Sequence, residues 1–409
     1  MADINVVVVG AGLAGLSTSF HLAERGATVT LLEKDRVGSG SSSRSGAVNT
    51  MLMGNRAATV ARGVSFDIFE RFDEILEDYT FHQVGCLGIY DSEQFETASQ
   101  LHDVQRQAGS RLEVLHWKEI ESRFPDLRIK ESEVGVLDLR GGWSEPDSYI
   151  PALAKKVRDL GVVIREEVTV EDFIVETDRV CGVRLRGGEE LRPDATVCTV
   201  NAWANTLLAR IDHPLPVRSF VHERFVTRPF ETSPQLPATN DDTNGVYYRP
   251  TEDNRILLGS GAMDPEEIRL PTSDFHLDQL EPNPGSLPFI LDKIGDRLPS
   301  VDRTKIDAHR VGLISYPADF VPNIGPVEGL PGLLLGTNFC SGGFGWHPVA
   351  GLLISEYILD GQTRIDADIF SPGRFKDFDT ETFLEEDTTC HEMIAAHAAR
   401  NQSVVRKRH

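Results

Sequence analysis

Three features of this 409-residue chain predict a mixed α/β (α+β) fold in which a Rossmann-like dinucleotide-binding domain carries a second, antiparallel-sheet domain. The chain opens on a strand, a glycine-rich turn and a helix; strand-like alternation fills two later stretches; α/β patterning then returns twice more. The opening is VVVVGAGLAGLSTSFHLAERGATVTLLEK, residues 6–34. Val6 to Val9 form the continuous β-branched run of a strand buried on both faces. Gly10, Gly12 and Gly15 follow at G-x-G-x-x-G spacing, with Ala11, Leu13 and Ala14 between them. The first glycine permits the tight turn, the second lets backbone amides approach a pyrophosphate, and the third lets the next helix pack on the strand. Leu13, Leu16, Phe20 and Ala23 recur at helical spacing, which places the anion at a helix N-terminus. A second strand, 28–32, ends in Glu33, a carboxylate placed to accept from a ribose hydroxyl and to repel a 2′-phosphate. NADP is thereby disfavoured, and FAD and NAD stay open.

From Lys34 the chain runs through KDRVGSGSSSRSGAVN, too rich in Gly and Ser for a regular element and too long for an ordinary connection. Ser42, Ser43, Arg44, Ser45 and Gly46 there offer hydroxyls, amides and one guanidinium for a second contact with the cofactor. Residues 56–79 read as a helix with Val64, Ile68, Phe72 and Ile75 on one face. A strand at 86–92, a helical stretch at 93–108 and a short helix closed by Pro125 come next. Asp147 or Ser148 is expected to cap a helix that carries Pro151 in its first turn, ends at Gly161 and leads into a strand from Val162. Residues 167–200 alternate as three antiparallel strands with a closing apolar strand, 215–260 are again strand-like, and 329–361 return to α/β. The expected organisation is a discontinuous cofactor domain from 1–80, 145–214 and 321–370. A substrate domain takes 81–144 and 215–320, and a tail, 371–409, carries a short helix near 387–400 and a basic end.

Sixty-three acids against 41 basic residues give a net charge of −22, with nine lysines among the bases. Phosphate affinity needs clustered cations, so no nucleic-acid partner is expected. The lysine-poor, acidic surface resembles that of haloarchaeal proteins and suits high salt, where self-repulsion is screened. Five scattered cysteines without C-x-x-C spacing suggest a reducing cytoplasm, and give no metal site. No apolar run reaches the length of a membrane span, and no targeting segment is read at the N-terminus.

In this order, GAGLAG with Glu33, GSGSSSRSG, GGWSEPDSYIPAL, YYRPTEDNRILLG, PADFVPNIGPVEGLPGLLLGTNF and SGGFGWHPVAG resemble the D-amino-acid oxidase-like family of FAD-dependent amine oxidoreductases, over residues 4–375. That group includes glycine oxidase, sarcosine oxidase and D-amino-acid dehydrogenases. The resemblance implies FAD, with its adenosine at Glu33 and Val168, its pyrophosphate on Gly10 to Gly15, and its flavin between the Ser43-Arg44 loop and Gly343, Phe344 and Gly345. It implies a small amine or amino-acid substrate of the glycine, sarcosine or D-amino-acid type, oxidised by hydride transfer to flavin N5, with hydrolysis of the resulting imine. Pro348 is expected at the start of the last helix, whose positive end would face the flavin. Where relatives tether FAD through cysteine, this chain offers Gly312 and Leu313, so FAD is expected to be non-covalent. Where several relatives carry a cation after the glycine turn, this chain has Phe344-Gly345-Trp346-His347, which favours a dehydrogenase over an oxidase.

Arg249 and Tyr248 are the expected substrate anchors, because the YYRP strand faces the flavin in the family; strand alternation places Tyr247 and Arg249 on one face and Tyr248 on the other. His347, His222, Arg224 and Trp346 are further candidates for the pocket. A 2-hydroxy-acid oxidoreductase on the same fold, and a flavoprotein subunit that relays electrons inside a complex, are the competing readings. The electron acceptor, oxygen or a carrier, and association with other subunits stay open.

Overall fold

A computed structural model describes residues 4–261, 263–301 and 306–397. Among these, one six-stranded sheet runs in the order Asn323–Pro326, Leu333–Thr337, Ala195–Cys198, Asn5–Val9, Thr28–Leu32, Val163–Arg165. All neighbours are parallel except the antiparallel edge strand 323–326. Val6, Val8 and Val197 are buried against helices on one side and Val7, Val9 and Cys198 against the other, which explains the unbroken apolar runs. Helix α1, Leu13–Glu24, follows the first strand. Helix α2 spans Arg56–Ile75, with the Asn55 side chain accepting from the Ala58 amide at 2.8 Å. Helix α3 is Pro146–Asp159 and α4 is Gly343–Leu359.

The second large sheet has eight strands, in the order Ile306–Pro317, Val217–Thr227, Ile256–Ser260, Val246–Pro250, Ala238–Asp241, Cys86–Tyr90, Val134–Asp138, Leu112–His116. It is antiparallel apart from the pairing of 238–241 with 86–90. Its strands come from 86–138 and 217–317, whereas the parallel sheet draws on 5–32, 163–198 and 323–337. A small antiparallel meander, Val170–Glu176, Arg179–Leu185 and Glu190–Leu191, sits beside the parallel sheet.

Several element boundaries depart from the sequence reading. The buried face of α2 is Ala58, Arg62, Ser65, Phe69 and Phe72, so Val64 and Ile75 lie at its margin. The stretch at 93–108 is two helices, Ser92–Ser99 and His102–Gln107. Helix α3 starts earlier than expected: Pro146 takes the first position and Pro151 lies inside. Its preceding residue, Glu145, makes no cap because its carboxylate pairs with Arg249 at 2.9 Å. Pro348 does not open α4, which begins at Gly343; the proline sits in its second turn, where it sacrifices one backbone hydrogen bond. In the tail, Thr380–Glu385 and residues 390–397 are helical; residues 387–389, the start of the expected helix, are not, and residues 398–400 of that helix and the basic end lie outside the described residues.

Candidate functional site

The strand–turn–helix opening builds one end of a long cleft. Gly10 has φ +100°, a value that favours glycine, and its amide donates to the Leu32 carbonyl at 2.7 Å. An added Cβ on Gly15 would overlap the Gly10 carbonyl oxygen, so α1 can sit this close only on glycine. Gly12 precedes α1 without a side-chain cap, and the Leu13 amide is met instead by Ser42 Oγ at 3.0 Å. Glu33 accepts from the Ala11 amide at 2.8 Å and from the Asp35 amide at 3.0 Å. Burial pushes its carboxyl pKa up, opposed by those two amides.

This end holds about 870 Å³ of space including its open mouth and is lined by Gly10, Gly12, Glu33, Lys34, Ser42 and Val168. A strap from 272 to 278 crosses it. Lys34 Nζ donates to the Ser273 and Phe275 carbonyls at 2.7 and 2.6 Å and lies 4.1 Å from the Trp203 ring centroid. Burial lowers the pKa of this ammonium to about 8. His276 meets Asp35 at 3.1 Å and Asp278 meets Arg44 at 2.6 Å, fixing the strap across the groove.

The groove continues, through Gly12, Ser41, Ser42, Thr199 and Asn201, into a wider chamber of about 1600 Å³ including its open mouth. Leu13, Ala14, Arg44, Ser45, Gly46, Gly343 and Phe344 line it from the parallel-sheet side. His222, Asn240, Tyr247, Ile314 and Ser315 line it from the antiparallel sheet. Thr50, Leu52, Met53, Arg62 and Trp346 are also among its walls.

Not every predicted residue reaches this cleft. Ala11 serves it through its amide to Glu33, Gly15 through close packing, and Gly345 through its contact with Arg62. Ser43 turns its carbonyl to Arg224 Nη2 at 2.8 Å. Three predicted catalytic side chains lie elsewhere. Tyr248 points from its strand into the opposite core, beside Leu258 and Val246, as alternation requires. Arg249 shares the face of Tyr247 but is fully buried and engaged on every nitrogen: its Nε donates to the Gly46 carbonyl at 2.6 Å, its two terminal nitrogens pair with Glu145, Nη1 also donates to the Pro250 carbonyl, and its plane covers Trp143. It has no free edge for a substrate carboxylate. His347 is fully buried among Phe69, Tyr149 and Phe344, and burial drives its pKa well below the usual imidazole range, so it is an uncharged core residue. Tyr247, on the alternate face from Tyr248, is the residue of this strand that lines the chamber.

The sequence reading missed Arg62. It projects from the buried face of α2 with 4% exposure, and both Nε and Nη2 donate to the Thr50 carbonyl, at 3.2 and 3.0 Å. The available signal was an arginine placed in register with Ala58, Ser65 and Phe69 on an apolar helix face.

His222 also lines the chamber, with Nε2 unpartnered, and burial lowers its pKa to about 4 from the ordinary 6.5. Between those values the unfolded chain binds more protons than the folded one. The stability that neutral His222 contributes is therefore complete above pH 6.5 and is lost as pH falls through about 4. Its NMR resonances are expected not to titrate between about pH 8 and about pH 5; a midpoint near the ordinary value would put the ring in water instead.

Comparison with known proteins adds a family. A family model described as DAO, FAD dependent oxidoreductase, matches residues 5–357. The 4-methylaminobutanoate oxidase (formaldehyde-forming) of Paenarthrobacter nicotinovorans is 26% identical over 384 residues, 91% of this chain and 46% of that protein. Glycine oxidase of Pseudomonas putida is 25% identical over 380 residues, 90% of this chain and 98% of that enzyme. The chain spans about half the length of the former and of mouse mitochondrial dimethylglycine dehydrogenase. Among solved structures, L-proline dehydrogenase from P. horikoshii superposes with a TM-score of 0.83 at 26% identity, covering 92% of this chain and 98% of that one. L-amino acid deaminase from Proteus myxofaciens, at 18% identity, covers 92% of this chain and 94% of its own with a TM-score of 0.78, and shares the fold.

Proposed function

The chain belongs to the DAO family of FAD-dependent oxidoreductases, and from that premise we propose that it oxidises the C–N bond of a small amine or amino acid, of the glycine, sarcosine or D-amino-acid type. The cleft fits the cofactor. Its narrow end has the glycine turn, the uncapped helix start and Glu33; its wide end has mixed polar and apolar walls and lies between the two sheets. Gly312 and Leu313 line the wide end with no thiol at these two positions, in keeping with non-covalent FAD, and the Cys340 thiol that also lines it donates to the Asn338 carbonyl. Bound FAD supplies a two-electron acceptor.

The observation that carries the reading is the antiparallel-sheet wall of the chamber: His222, Asn240 and Tyr247 beside Ile314 and Leu313, with one carboxylate, Glu223, that is already engaged by the Asn283 amide, Ser286 and His309. An amine gives up a hydride only as the free base, and a wall of neutral side chains whose single carboxylate is already partnered does little to hold the ammonium form. Burial holds Tyr247 protonated by raising its pKa, so its hydroxyl is available to orient the amine or its carboxylate. Tyr247→Phe is expected to lower kcat/KM about tenfold, the worth of one hydrogen bond of about 1.4 kcal/mol, with stability unchanged. An unaltered kcat/KM would remove Tyr247 from the substrate site.

The reading is tested by mixing the yellow protein anaerobically with glycine derivatives, D- and L-amino acids and 2-hydroxy acids while following flavin absorbance. Bleaching by amines supports it. Bleaching by hydroxy acids alone, or by nothing, overturns it in favour of the hydroxy-acid or electron-relay reading. Readmitting air separates oxidase from dehydrogenase; the sequence-based preference for a dehydrogenase rested on a missing cation, and Arg62 supplies one beside Gly345. Five free cysteines and a net charge of −22 support a reducing cytoplasm of high ionic strength as its setting.

A further inference from the structure

Arg62 is a buried cation that the surrounding protein compensates only from a distance, through Asp138, whose carboxylate accepts from the Met51 amide and does not reach the guanidinium. Its guanidinium is buried, yet among the described residues it makes no ion pair, and its hydrogen bonds end on one carbonyl, that of Thr50. Among the described residues Nη1 has no hydrogen-bond partner, and it lies against Gly345, so closely that an added Cβ there would overlap it. Gly345 is in the first turn of α4, whose start at Gly342 has no side-chain cap, so the neighbouring amides carry positive partial charge. Trp346 packs over the guanidinium with its ring centroid 6.0 Å away. The ring can solvate one face of the cation but supplies no neutralising charge. His347, next in the chain, is uncharged.

A buried cation pressed against a positive helix end is costly unless an anion completes the site. Burial, opposed by Cys86 and Asp138, lowers the pKa of this guanidinium to about 10, so it stays charged at neutral pH. Arg62 also lines the wide chamber, together with Thr50, Gly343 and Trp346, so the missing anion has access to it.

We propose that Arg62 and the first turn of α4 form the seat for the negative charge that FAD gains on reduction, so that this side chain sets the potential of the bound cofactor. The inference rests on the FAD-dependent reading above. A hydride leaves the carbon of the neutral amine, which becomes a cationic iminium, and bound FAD would take up the two electrons and one proton and hence one negative charge. A fixed cation and helix amides stabilise the reduced form over the oxidised one and raise the potential. The cation is delivered from α2, not from the glycine turn itself.

The test needs no substrate. The midpoint potential of the FAD-loaded protein is measured by reduction in the presence of reference dyes, for wild type, Arg62→Met, Arg62→Lys and Gly345→Ala. Arg62→Met is expected to lower the reduction equilibrium constant at least tenfold, about 30 mV for two electrons. Gly345→Ala, which keeps the charge but displaces the guanidinium, should shift the potential the same way, and Arg62→Lys should recover part of it. Gly345→Ala serves if Arg62→Met fails to fold. Potentials equal to wild type in the loaded variants would overturn the proposal. Equal potentials with weakened binding of a carboxylate such as acetate would overturn it too, by giving Arg62 to the substrate. Failure to bind FAD at all in the wild type would instead sink the functional reading.

Discussion

Gly15→Val is expected to yield a colourless protein. A side chain at this position meets the Gly10 carbonyl oxygen directly and lies 2.9 Å from Thr199 Oγ1, both fixed parts of the turn. Neither can yield cheaply: Thr199 Oγ1 donates to the Val9 and Gly10 carbonyls at 2.8 and 2.9 Å, tying the neighbouring strand to the turn. The valine must therefore push α1 away from the parallel sheet. Overpacking of this kind costs about 1–3 kcal/mol of stability. Its effect on cofactor binding is larger, because the amides at the start of α1 have to converge on one pyrophosphate, and a shift of the helix misaims all of them together. The measurable result is absorbance near the flavin maximum lost on dialysis, with at least a hundredfold weaker FAD binding on reconstitution. Gly12→Ala is the milder comparison, since its Cβ meets only Ser42 Oγ, at 3.1 Å. A Gly15→Val protein that retains FAD with wild-type affinity would show that the glycine turn does not carry the pyrophosphate.

The residues legible in the sequence are those whose surroundings are local. Gly10, Gly12, Gly15 and Glu33 belong to one strand–turn–helix–strand unit, and the Ala11 amide that meets Glu33 is 22 residues away along the same unit. The alternation of Tyr247, Tyr248 and Arg249 was equally legible, because it follows from the pleat. What the pleat does not say is which face meets which partner. Arg249 faces the right way but is intercepted by Glu145, 104 residues earlier in the chain, before it can reach the chamber. His347 follows Gly345 and Trp346 in a helix, and one residue of helical rotation carries it from the chamber wall into the aromatic core. Arg62 was hidden for the converse reason: a helix face reads as core, and only the fold reveals that this part of the core borders a cleft.

The placement of Arg249 leads to an expectation that separates two roles for the same arginine. Arg249→Leu is expected to destabilise the protein by about 3–5 kcal/mol, the usual cost of removing one partner of a buried pair. Leucine would leave the Glu145 carboxylate, 18% exposed, without its cation, and the Gly46 carbonyl without its donor. The damage spreads to the cofactor. Gly46 lines the chamber directly beneath Tyr247, so a carbonyl that seeks a new donor moves the loop that borders the flavin end. A lower melting temperature and faster FAD loss are thus expected together, with KM unchanged in whatever fraction stays folded and loaded. Removing both charges should be cheaper than removing one: Arg249→Leu combined with Glu145→Leu takes away the stranded carboxylate and should regain part of the stability. A substrate anchor behaves in the opposite way. It would leave thermal stability near wild type, raise KM, and gain nothing from a second substitution at Glu145, because the missing partner would be the ligand and not the protein.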